Sequence, residues 1–175
     1  MQASRVIVAL LLAVFCLPSL AQNPKVLKGN QITEAALVEA LVPRPETRSI
    51  RPGGGAAPAE KPPAAGIIFV FETNSAVLTA DAQQKLDIVG KALNTDKLAA
   101  FSFQVEGHAD PRGAPDWNQR LSEERADAVR QYLVQNQNVS PDRLKPVGKG
   151  DREPLNTENP AAAENRRVTI VTNIN

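Results

Sequence analysis

The sequence holds one cysteine, one histidine and few aromatics, five Phe with a single Trp and a single Tyr among 175 residues. One cysteine closes no intramolecular disulfide and builds no cysteine-rich zinc site. With His108 as the sole imidazole, the parts for a multi-histidine metal centre and for most serine or thiol triads are missing. No metal, cofactor or catalytic residue is therefore expected. An excess of one charge is missing too: 20 Lys+Arg against 19 Asp+Glu leave +1, which gives no electrostatic footprint for nucleic acid or an anionic membrane surface. What is present, 42% hydrophobic and 22% charged residues, is the composition of an ordinary globular domain.

The longest apolar run is residues 6–17, with Arg5 ahead of it and Ser19, Leu20 and Ala21 behind. This order reads as a signal peptide, 1–21, cleaved after Ala21. Twelve apolar residues fall short of about 30 Å of hydrocarbon at about 1.5 Å per residue, so no integral membrane span is expected in the mature chain. Cys16 raises lipidation as an alternative, against which stand the bulky Val14 and Phe15 before it. Residues 22–42 form an N-terminal segment in which 32–41 (ITEAALVEAL) has helix-forming composition, either a transient helix or a docking segment for a partner protein. Residues 43–65 hold six of the 14 prolines and three consecutive glycines and read as a linker. Every aromatic but Phe15 falls in 66–175, which marks the folded domain.

Within that domain residues 66–71 (GIIFVF) are continuously apolar, as in a strand covered on both faces. Thr79 is placed to cap a helix running to Asn94, with Ala82, Leu86, Val89 and Leu93 on one face and Gly90 permitting close packing. Phe101, Phe103 and Val105 alternate with polar residues in a half-buried strand that leaves Glu106 on the polar face. Asp116 and Gln119 resemble a capping box opening a helix to about Gln135. Residues 144–147 form a weaker strand and 167–172 a closing one, with Gly148, Lys149 and Gly150 read as a turn and His108 as a hydrogen-bonded loop residue. The order β-α-β-α-β-β predicts an α+β sandwich, two main helices packed on one face of a mixed sheet.

One feature of the second helix breaks the pattern. At 100° per residue Leu121, Ala128, Val129, Tyr132 and Leu133 span an apolar arc, and Arg125 projects into its middle with Asn118 two turns earlier on the same side. A guanidinium aimed at packed surface is costly unless paired. The preceding strand ends in Gly107, His108, Ala109 and Asp110, which delivers a carboxylate to the strand-to-helix loop. Spacing alone leaves two readings open: a private Asp110 to Arg125 bridge that pins loop to helix, or a site with separate positive and negative poles suited to a zwitterion.

The residues Glu106 to Asp110, then Asn118 to Ser122, Arg125, Ala126, Val129, Leu133, Gly148 to Gly150, Pro154 and Asn165 to Val168 resemble the OmpA C-terminal-like family of bacterial envelopes. The GHAD stretch with Arg112, Gly113 and Pro115 to Asn118 is similar to its peptidoglycan-associated lipoprotein branch. The resemblance implies non-covalent binding of peptidoglycan through the diaminopimelate of its stem peptide, by an exported protein of the periplasm associated with the outer membrane. It implies that Asp110 takes the ligand ammonium and Arg125 a carboxylate. Asn118 and Asn74 add hydrogen bonds, and Arg166 a second cation. Ala109 departs from the commoner GHTD form and removes a hydroxyl. A scaffold or assembly role, with Asp110 and Arg125 structural and residues 32–41 contacting an envelope protein, is the alternative.

Overall fold

The computed structural model describes residues 25–43, 62–69, 71 and 74–173. The expected signal peptide and most of the expected linker lie outside them. Five strands, β1 (Lys25–Leu27), β2 (Ala64–Ile67), β3 (Phe103–Gly107), β4 (Leu144–Gly148) and β5 (Val168–Thr172), form one mixed sheet in the order β1-β2-β5-β3-β4. Helices α1 (Glu34–Leu41), α2 (Ala80–Leu93) and α3 (Pro115–Gln137) join it in an α+β fold. Strand β5 runs antiparallel to both β2 and β3 at the centre, while β4 pairs in parallel with β3 at one edge.

The alternation of β3 and β5 puts Phe103, Val105, Val168 and Ile170 on one face, where they join Leu86, Val89 and Leu93 of α2 and Val129 and Leu133 of α3 in a single core. Helix α2 begins where its sequence says it should: the Thr79 hydroxyl accepts from the Ala82 amide at 3.2 Å. Gly90 faces Gln137 so closely that a methyl group there would overlap its side chain, which lets α2 and α3 meet. Helix α3 departs from expectation at its start. Its cap is Ala114, with Pro115 as the first helical residue and no side-chain cap. A proline needs no partner for its missing N–H at that position, and the Gln119 amide instead donates to the Gly148 carbonyl at 2.9 Å. Among residues 66–71, only Gly66 and Ile67 lie in β2; Phe71 forms an isolated bridge with Leu78.

The larger correction concerns the N-terminal segment. Residues 25–42 were expected to stand ahead of the domain, yet β1 pairs in parallel with β2, and Leu37 and Leu41 of α1 are wholly buried in the common core. Eight residues of helix are marginal in water. Burial of two leucines, each contributing about 1.5–3 kcal/mol, and a bond from the Thr172 hydroxyl to the Leu41 carbonyl at 2.6 Å hold this one in place. Residues 44–61 thus connect two points of the same domain. The apolar face considered for an outside partner is spent on the chain's own core. Among the described residues no helix is long and apolar enough to cross a membrane.

Candidate functional site

The site forms where β3 and β4 end, β5 begins and α3 starts. Close approach makes this possible: Gly107, the last residue of β3, lies against the Ser122 carbonyl of α3, where any Cβ would collide with backbone. The Ala109 amide donates to the Gly150 carbonyl at 2.7 Å, and the Gly150 amide donates to the Ser122 hydroxyl at 2.9 Å. Gly150 itself takes a positive φ of 56°, in keeping with the expected turn. These bonds present Asp110 on a loop fixed to α3.

Asp110 is buried, and its carboxylate is fully engaged. Oδ1 accepts from the Arg112 amide at 3.1 Å and from Arg112 Nε at 2.9 Å; Oδ2 accepts from Arg112 Nη2 and from Arg166 Nη1, both at 2.8 Å. The Arg112 guanidinium, followed by Arg166, holds the carboxyl well below the usual range, against the opposing effect of burial. Asn118, also buried, donates to the Asp110 carbonyl at 3.1 Å and to Asp151 at 3.0 Å.

Arg125 is 7% exposed. Its Nε donates to the Ser75 carbonyl at 3.1 Å and its guanidinium lies over the Phe71 ring at 4.9 Å. No carboxylate among the described residues pairs with it, so the private Asp110 to Arg125 bridge is not formed. Burial, then the nearby Arg166, pulls its pKa down while Asp110 acts in the opposite direction. Asn74, next to Ser75, is exposed and takes a left-handed backbone with φ 51°.

The structure thus joins Asp110, Asn118 and Arg166 by hydrogen bonds and sets Arg125 within electrostatic reach of Asp110 and Arg166, while Asn74 is linked to Arg125 only as the chain neighbour of Ser75. Three residues in this assembly were not legible as participants: Arg112, Asp151 and Asn165. Asn165 is fully buried and organises the loop before Arg166. Its Oδ1 accepts from the Leu155 and Asn156 amides at 2.7 and 2.9 Å, and its Nδ2 donates to the Pro160 carbonyl at 2.7 Å. The sequence offered only an amide between Glu164 and Arg166 as a signal.

On the opposite sheet face Glu106, expected on a polar face, is buried together with His108 and Arg167. Burial pushes Glu106 up, with Lys149 3.3 Å away opposing the shift. His108 has no hydrogen-bond partner at either ring nitrogen among the described residues, and burial with Arg167 and Lys149 nearby lowers it to about 3. Arg166 pairs with Asp110 and Arg167 is buried.

The sequence profile of the OmpA family matches residues 70–167. A peptidoglycan-associated lipoprotein of Pseudomonas aeruginosa is 39% identical over 104 residues, covering 58% of this chain and 60% of that protein. The chain thus spans about three fifths of that relative's length. Among solved structures, the peptidoglycan-associated lipoprotein from Burkholderia pseudomallei superposes with a TM-score of 0.52 at 24% identity, over 66% of this chain and 92% of that one, a likeness of fold. The cell wall anchor of the T6SS from Pseudomonas aeruginosa gives 0.50 at 28% identity, over 59% of this chain and 73% of that one.

Proposed function

The chain belongs to the OmpA family, and from that premise we propose that it binds peptidoglycan non-covalently and links an envelope component to the cell wall, with the diaminopimelate of the stem peptide as the group recognised. The observation that carries this reading is Arg125. A buried guanidinium whose partners among the described residues are a backbone carbonyl, bonded through Nε, and a ring face leaves its Nη donors unmatched by any described carboxylate, and an arginine fork matches a carboxylate in plane. Arg166 adds a second cation, Asp110 the negative pole for an ammonium, and Asn118 and Asn74 the flanking polar groups. The names of the relatives, peptidoglycan-associated lipoprotein and cell wall anchor, favour the same reading. It is a reading of binding, not catalysis.

In this reading residues 1–21 direct export and the mature protein works in the periplasm, associated with the outer membrane. The scaffold alternative required Asp110 and Arg125 to be each other's structural partners, which their separate bonds disfavour. Co-sedimentation of the folded protein with purified peptidoglycan tests the function. Retention in the pellet supports it, and a protein that stays in the supernatant at wall concentrations that pellet an authentic wall binder refutes it.

A further inference from the structure

We infer that Arg112 is a specificity-determining residue of this site: its side chain occupies the Asp110 carboxylate as an internal cation, and a ligand brings its own ammonium only by displacing it. The inference rests on the proposed binding of diaminopimelate. Two guanidiniums hold Asp110 and a third, Arg125, acts on it without pairing, and they are not equally held. Arg125 is buried beneath the Phe71 ring. The Arg166 side chain is 39% exposed and also donates to the Ala161 carbonyl. The Arg112 side chain is 63% exposed, and each of its hydrogen bonds goes to Asp110. It is the most exposed of the three and the one whose guanidinium swings into water most readily.

When the side chain leaves, the Arg112 backbone amide stays on Asp110 Oδ1 and Arg166 stays on Oδ2. The carboxylate keeps its position and exposes the positions that Arg112 Nε and Nη2 held. An ammonium fills that gap. A ligand with carboxylates alone has nothing to put there, and it binds Arg125 and Arg166 best while Arg112 still neutralises Asp110. Arg112 therefore acts with opposite sign on two ligand classes, opposing a zwitterion and favouring a plain dicarboxylate.

The test compares meso-diaminopimelate with pimelate, the same dicarboxylate lacking both amino groups, by calorimetric or NMR titration of the whole protein and its Arg112→Ala and Arg112→Gln variants. The expected result is a gain in affinity for diaminopimelate and a loss for pimelate, in both variants. A parallel fall for both ligands makes Arg112 an ordinary ligand contact and overturns the inference. Unchanged affinities make it a bystander and overturn it equally, as does a lowered melting temperature with no change in the ratio. If the parent binds neither diaminopimelate nor purified peptidoglycan, the functional reading falls and this inference falls with it. Peptidoglycan binding by the parent, with no diaminopimelate preference gained in the variants, removes the Arg112 role alone.

Discussion

Asp110 and Arg125 sense each other's charge without pairing: Asp110 is taken by Arg112 and Arg166, while Arg125 donates to the Ser75 carbonyl. Opposite charges on one loop-helix corner that decline to neutralise each other leave a cation available to something else. The fold contributes the rigidity of that corner, and predictions about it can be separated from predictions about the ligand.

The close approach of β3 and α3 at Gly107 is the first. Gly107→Ala sets a methyl group against the Ser122 carbonyl, so backbone must shift to accept it. We expect a loss of about 1–3 kcal/mol of stability by urea unfolding. A variant as stable as the parent shows that the corner is compliant.

Helix α1 supplies the second. Leu41→Ala empties a fully buried position and should cost about 2–5 kcal/mol in the same assay. The companion experiment is proteolysis. A cut within 44–61 should leave the N-terminal piece co-eluting with the remainder, since β1 and α1 are packed into the sheet and core. Separation of the pieces without denaturant would contradict that packing.

These two cases also show what the sequence made legible. Helix α2, strands β3 and β5 and the buried side of α3 follow from periodicity and from the Thr79 cap, all of them local signals. The fate of residues 32–41 depended on whether β2 offered an edge to β1, a long-range fact that no local pattern carries. Arg125 and Asn118 stood out because their polarity broke an apolar arc. Arg112 did not, because an exposed arginine in a loop looks the same whether it faces water or a carboxylate two residues away. Burial of Glu106 was missed for a related reason: strand alternation assigns a face but does not say whether that face is covered.

His108 gives a pH prediction with a definite sign. Its folded pKa, about 3, lies below the ordinary value of 6.5, so the unfolded chain binds a proton first and stability falls as pH drops from about 6.5. Glu106, pushed upward by burial, acts the opposite way and gains as pH falls. Comparing the parent with His108→Gln at each pH cancels that contribution. The difference between their unfolding free energies should change by about 1.4 kcal/mol per pH unit between pH 6 and 4.5, and a flat difference would mean that His108 is not held neutral by the fold.

Asn165→Ala removes the side chain that gathers the turns at 155–160. The amides of Leu155 and Asn156 lose their acceptor, and we expect about 1–3 kcal/mol of destabilisation with weakened wall binding, because Arg166 is the next residue. Hydrogen exchange at those two amides reads the effect directly. Protection equal to that of the parent would locate the order of this loop elsewhere.

The central claim is that Arg125 is held in reserve for a ligand carboxylate, and Arg125→Ala tests it most directly. Sedimentation with purified peptidoglycan, run beside a melting curve for the same preparation, separates binding from folding. No carboxylate among the described residues pairs with Arg125, so the variant should stay folded, with a modest loss of melting temperature from the Ser75 bond and the Phe71 contact, while wall binding weakens by about 2–5 kcal/mol. A well-folded Arg125→Ala protein that pellets with peptidoglycan as the parent does would contradict the account.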